Sequence, residues 1–211
     1  MTESARHFSF SLRQLLFRQT PLALLCLVAS GITRVEGGES ASSTSERVTA
    51  QPSPGWKPSY SYAVPGLEVL EFLPQGQALE DWRDVITVQN ISRSGSESPA
   101  GLLREIAGRA RSICLDVLSS PVNEHTESGY PAAAMSHFCP RDAQSRKGDV
   151  TLCRAIHGKD ALYVPSRTGR DEAWDGRTIP LPEEALARWQ EELGGFRVCR
   201  KGPAKRRCDR A

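Results

Sequence analysis

The 211-residue chain carries 27 Lys+Arg against 25 Asp+Glu, and 39% of its residues are hydrophobic and 25% charged. That near-even balance predicts a neutral, soluble domain. A net charge of +2 also lacks the strong basic field on which general nucleic-acid binding rests.

The N-terminus sets Arg6, Arg13 and Arg18 against Glu3 and continues into the uncharged run Pro21–Thr33, PLALLCLVASGIT. A basic stretch before a short apolar core is the pattern of an export signal. The run is shorter than the ~20 apolar residues a membrane-spanning helix needs. The small residues Ala29 and Gly31 place cleavage after Gly31, so residues 1–31 read as a signal peptide that leaves no transmembrane span behind. Residues 1–31 hold three Arg and one Glu, so 24 basic and 24 acidic side chains remain. Residues 32–59, rich in Ser, Thr, Gly and Pro without apolar periodicity, read as a flexible linker. Residues 60–200 have the length of one domain, and residues 201–211 form a locally basic tail.

Within the domain, Leu67–Leu73 alternates as a strand does, and Pro74, Gln75 and Gly76 turn the chain. A short helix around Trp82 is expected over Ala78–Asp84, then a β-branched strand over Val85–Ile91. Gly101–Leu118 places Leu102, Leu103, Ile106, Ala110, Ile113, Cys114 and Val117 at helical spacing, with Pro121 as the stop. Ala132–Cys139 and Asp149–His157 read as strands. His157–Asp160 reads as a hairpin turn using positive φ at Gly158, and Ala161–Pro165 returns as a strand. A long polar loop, residues 166–178, holds Trp174. A second helix begins near Pro182, buries Leu186, Trp189 and Leu193, and ends at Gly194 and Gly195. Phe196–Arg200 is the last strand. This order predicts an α+β fold: an antiparallel sheet with two main helices packed on it, stapled by disulfides.

Five cysteines follow the signal: Cys114, Cys139, Cys153, Cys199 and Cys208. Outside the cytoplasm, pairing is the default. Four lie in expected elements, which allows three connectivities. The preferred one joins Cys139 to Cys153 on consecutive strands, and Cys114 to Cys199 by elimination. Cys208 is left over, free or joining two chains. A competing arrangement would gather His137, Cys139, Cys153 and His157 around zinc, but the spacing is not that of a standard finger. No metal site is therefore assigned. No phosphate loop is present either, because Gly194 and Gly195 follow a helix rather than open one, and no cofactor is expected.

Catalytic residues are not assigned. His125, beside Glu124 and Glu127, is a candidate acid–base group, although no nucleophile is marked near it. Glu80, Asp81 and Asp84 around Trp82 read as the outer face of a helix whose Trp packs inward. Trp174 on its polar loop is a candidate binding handle. The stretch Leu70–Ile91, with Pro74, Gly76, Gln77, Trp82, Thr87, Val88 and Gln89, resembles a segment of small exported bacterial proteins of unassigned function. Ile156–Val164 fits the same pattern. The element order also resembles the PsbP-like α+β fold, and neither resemblance implies catalytic residues.

These observations predict a periplasmic or secreted, non-enzymatic binding domain, with an envelope protein or polysaccharide as partner. The alternatives are a secreted hydrolase using His125 with a nearby carboxylate, and a structural subunit crosslinked through Cys208.

Overall fold

Apolar residues along Leu67–Pro74, Asp84–Ile91, Tyr130–Cys139, Gly148–His157 and the first half of Leu162–Asp171 favour strands, in which successive side chains point to opposite faces. The computed structural model describes residues 46–49, 52–92 and 97–200. Its strands in chain order are β1 (Glu46–Thr49), β2 (Trp56–Val64), β3 (Leu67–Pro74), β4 (Asp84–Ile91), β5 (Cys114–Leu115) and β6 (Leu118–Ser119). They continue with β7 (Asn123–Glu127), β8 (Tyr130–Cys139), β9 (Arg141–Asp142), β10 (Gly148–His157), β11 (Leu162–Asp171) and β12 (Arg197–Arg200). The helices are α1 (Pro99–Ala110) and α2 (Glu183–Gly194).

One eight-stranded antiparallel sheet organises the domain. Its order is β2-β3-β4-β11-β10-β8, and both β6 and β7 pair along the free edge of β8. Separately, β1 pairs with β12 and β5 with β9. Among the described residues, 49% are strand and 18% helix. This corrects the expected α+β fold with helices as main packing elements: the protein is mostly an antiparallel β-sheet, and two twelve-residue helices are additions to it.

The differences have physical causes. β2 is an edge strand with most of its side chains in solvent, so it carries no alternation for a sequence reading to detect. It and β1 begin inside the stretch read as flexible linker. β7 is similarly exposed. β11 continues to Asp171 through residues read as loop, because its polar Ser166 and Thr168 are buried. The helix around Trp82 shrinks to a single 3-10 turn, Leu79–Asp81. Signal cleavage, residues 32–45 of the linker, the basic tail and Cys208 lie outside the described residues.

α1 starts as a good helix should. Ser98 caps it by accepting from Gly101 N at 3.0 Å, with Pro99 in the first turn. It ends at Ala110 rather than Leu118, because Ser112 and Ile113 turn back onto the carbonyls of Arg109 and Ala110. The chain then takes a positive φ at Asp116. Cys114 is thereby freed from the helix and set in β5 against Asp142 of β9.

There it forms a disulfide with Cys139, with Cα atoms 5.7 Å apart. The expected Cys139–Cys153 and Cys114–Cys199 pairs are corrected accordingly. On paired β8 and β10, Cys139 faces Asp149 and Cys153 faces Met135, four residues out of step. Cys153 is buried in the core beneath α1, and Cys199 is disulfide-bonded, though not to Cys114.

A helix packs on each face of the sheet. On one face α1 buries Leu102, Leu103 and Ile106 against Ile91, Ala133, Met135, Ala155, Leu162 and Val164. On the other, Trp189 and Leu193 of α2, together with Phe196, pack on Phe72, Ile86, Val88, Val150 and Leu152. The Pro74–Gln77 stretch is a turn device: Gly76 has φ +89°, and the side-chain Oε1 of Gln77 accepts from the backbone N–H of Arg83 and Asp84 at 2.6 and 3.1 Å. Gly158 does not use positive φ. Its role is close approach, since a Cβ there would lie 2.5 Å from the Glu46 carboxylate and 2.6 Å from the Tyr163 ring.

The Cys114–Cys139 bridge closes a loop with a sequence separation of 25, and by loop-closure entropy this contributes about 3 kcal/mol. Cys114→Ser is expected to lower unfolding free energy by that order in urea titration, and a non-reducing peptide map should recover Cys114 linked to Cys139.

Candidate functional site

The site is built where β10 and β11 begin and end. Their register sets Gly148 opposite Asp171, Asp149 opposite Arg170 and Val150 opposite Gly169. Alternation then sends Gly148, Val150, Gly169 and Asp171 to the α2 face and Asp149 and Arg170 to the α1 face.

The two glycines are there for space. A Cβ on Gly148 would sit 2.0 Å from the Trp174 ring, and one on Gly169 would sit 2.5 Å from the Trp189 ring. Two indoles therefore lie directly on bare backbone of neighbouring strands. Trp174 comes from the loop after β11, anchored by its N–H donating to Pro140 O at 3.1 Å. Trp189 comes from α2.

Between them opens a cleft of about 200 Å³, lined by Gly148, Val150 and Gly169 from the sheet and by Pro180 and Leu181 from the segment before α2. Arg83, Asp84 and Asp171 stand at its margin. The charges are only partly committed. Asp84 pairs with Arg167 at 3.1 Å, and Arg167 lies over the rings of both Trp56 and Trp189, 5.1 and 4.5 Å from their centroids. Arg167 also pairs with Glu192 of α2, which fixes Trp189 in place.

Beneath the floor, Arg170 grips Asp149 through two hydrogen bonds of 2.8 and 3.0 Å and stacks 4.1 Å from the Trp82 ring. Burial pushes the Asp149 carboxyl up, against the pull of Arg170. Trp82 packs inward, 3% exposed, as expected, and Asp84 is drawn to Arg167 rather than paired for chemistry with Glu80 or Asp81.

The remaining sequence candidates are scattered. His125 is on exposed β7 with its Nε2 3.8 Å from Glu127, but Glu127 is already held by Arg154. The four residues of the zinc arrangement do not converge, since His137 faces Thr151 in mid-sheet while His157 lies at the far end of β10, beyond the pair Ile156–Ala132. Among the described residues no group of three His, Cys, Asp or Glu side chains is placed to hold a metal.

The sequence reading missed a Ser–His contact. Ser119 Oγ lies 3.0 Å from His137 Nδ1. It is a poor hydrolytic pair, because burial lowers His137 to about 4 and its other ring nitrogen is buried without a carboxylate or other partner among the described residues. A base so weak has little drive to take a serine proton at neutral pH. The two floor glycines were also missed, and no local signal marks them: each is required by an indole distant in sequence.

No family model and no curated protein matches the chain. A crystal structure of LpqN from Mycobacterium tuberculosis, described as involved in cell envelope biogenesis, is similar over 72% of this chain and 81% of that one. The TM-score is 0.36 and the identity 11%, a likeness that identifies neither family nor ligand. Among the described residues no helix is long and apolar enough to cross a membrane. The disulfide fits an oxidising, extracytoplasmic compartment.

Gly148→Ala is expected to displace Trp174 from the floor, seen as a red shift of tryptophan emission without loss of the cooperative unfolding transition. A second expectation concerns acid. The folded pKa of His137, about 4, lies below its ordinary 6.5, so the unfolded chain binds the extra proton. Stability is then fully present above 6.5 and falls through the window down to about 4, by roughly 3 kcal/mol. Urea titrations at pH 7 and pH 4 should show that loss in the wild type and a smaller one in His137→Phe.

Proposed function

We propose that this chain is an exported, non-enzymatic binding domain, periplasmic or secreted, whose Trp174–Trp189 cleft takes one ring of a neutral envelope polysaccharide. The observation that carries the reading is the cleft itself: two indoles seated on glycines, with carboxylates and a guanidinium at the margin. Indole presents a flat apolar surface to the C–H face of a sugar ring. Asp171 and Arg83 supply the few polar groups that fix orientation in a mostly apolar site. Their opposite charges suit an uncharged ligand. The volume is below the ~300–1,000 Å³ of drug-sized pockets and suits a single ring at a chain end or along a chain.

The export-signal pattern read in residues 1–31, the disulfide and the Pro74–Gln89 resemblance to small exported bacterial proteins support an envelope role. Binding without turnover is supported by the state of the groups that could do chemistry: His137 is too weak a base, and Glu127 beside His125 is bound to Arg154.

Titration of the mature protein with neutral hexose and N-acetylhexosamine oligomers, followed by tryptophan fluorescence, checks the proposal. Saturable binding is expected with one of them, weakened at least ~10-fold in Trp174→Ala, the usual order for removal of a central aromatic contact. No saturation with either class, or equal affinity in the variant, would rule this reading out.

A further inference from the structure

The α1 face of the sheet is not apolar throughout. α1 covers the part made by β8, β10 and β11, and Trp82, with Leu73 and Val85, covers the opposite end. Between the two runs a belt of buried polar side chains. Register places Tyr60 of β2 opposite Glu71 of β3, Glu71 opposite Thr87 of β4, and Thr87 opposite Ser166 of β11. One step along the strands, Thr168, Thr151 and His137 face one another in turn. Glu71, Thr87, Gln89, Ser166, Thr168, Thr151 and His137 are each at most 8% exposed.

Thr151 and Thr168 share a hydroxyl hydrogen bond of 3.0 Å, but bonding around Thr87 is weak: Thr87 donates to Glu71 at 3.4 Å and Ser166 to the Thr87 carbonyl at 3.5 Å, both near the limit of a hydrogen bond. Gln89, next to Thr87 on the same face and fully buried, has neither its amide NH₂ nor its carbonyl oxygen bonded to anything among the described residues. A buried polar group left without a partner is uncommon in folded proteins and calls for an explanation. At the β2 edge, next in register to Glu71 and Val69, Tyr60 and Tyr62 are 39% and 41% exposed. Burial raises the Glu71 carboxyl and lowers the His137 ring to about 4, so both ionisable groups of the belt favour their uncharged forms.

We propose that the face between α1 and Trp82 is a second binding site, in which Gln89 pairs through its NH₂ and carbonyl oxygen with the amide group of an uncharged ligand entering past Tyr60 and Tyr62. The carboxamide offers a donor and an acceptor side by side, which a second amide matches at two points. Thr87 and Ser166 supply hydroxyls that reorient toward the ligand at little cost, because their present bonds are long. The site lies on the opposite face of the sheet from the Trp174 cleft and does not depend on it.

The test uses the full-length, signal-free protein labelled with nitrogen-15 and titrated with N-methylacetamide as the minimal amide. Saturable shifts are expected in the Gln89 side-chain NH₂ and in the backbone amides of Thr87 and Ser166. They should persist in Trp174→Ala and weaken at least ~10-fold in Gln89→Met, with Ser166→Ala as the second reader if Gln89→Met fails to fold. Gln89→Met should keep or raise Tm, since an apolar group of similar shape replaces an unbonded amide. Shifts that stay linear and spread over the surface, or affinity unchanged in both variants, overturn the proposal. A clear fall in Tm for Gln89→Met also overturns it, because the amide would then be satisfied by a held water.

Discussion

Asp149 and Arg170 face each other across β10 and β11, and the cleft depends on that pair. The carboxylate is 1% exposed, so its charge is tolerable only beside a guanidinium that meets it with two hydrogen bonds. Removing either partner from a buried pair costs about 3–5 kcal/mol, since the other charge is left uncompensated. Here the cost would fall on more than stability. The pair locks the register that brings Gly148 and Gly169 to the opposite face, and a slip of one residue would turn both glycines away from their indoles. Trp82 stacks on the same guanidinium, which ties the turn after β3 to the floor of the site.

The two faces of the sheet solve different problems. The α2 face is closed by bulk: Trp189, Leu193 and Phe196 fill it, and Arg167, spread between two indoles, seals the approach from β2. The α1 face is closed by bulk only in part. Its middle rows hold hydroxyls, an amide, a carboxyl and an imidazole where a sheet built for stability alone would place aliphatic residues. A protein tolerates such rows when they serve something other than the core.

The legibility of the sequence followed the same division. Central strands such as Val85–Ile91 and Asp149–His157 were readable because a buried strand announces itself in β-branched and apolar residues. α2 was readable through Pro182, Trp189 and Leu193. The edge strands β2 and β7 were not, because solvent on both sides erases alternation. The helical spacing that continued from Ala110 to Val117 was real but lost to a tertiary constraint, the bond between Cys114 and Cys139 beside the β5–β9 pair. Trp174 could be singled out as an aromatic on a polar loop. Its companion wall, the floor glycines and the buried row around Gln89 exist only once distant segments are brought into register, so no window of sequence contains them.

The pairing of β1 with β12 sets Glu46 beside Arg200, where the described domain begins and ends. Glu46 also reaches the far hairpin, accepting from Tyr130 at 2.8 Å and from Lys159 N at 2.6 Å. Entry and exit are thus neighbours, fastened to one corner of the sheet, and the path of the chain is nearly a closed ring. A short bridge from Arg200 to Glu46, with a new opening in the exposed turn 143–147, would rearrange the order of the segments while leaving every strand its present neighbours. Circular permutation is tolerated where ends lie close together and the new opening is an exposed loop; here the two ends are paired strands and residues 143–146 are exposed.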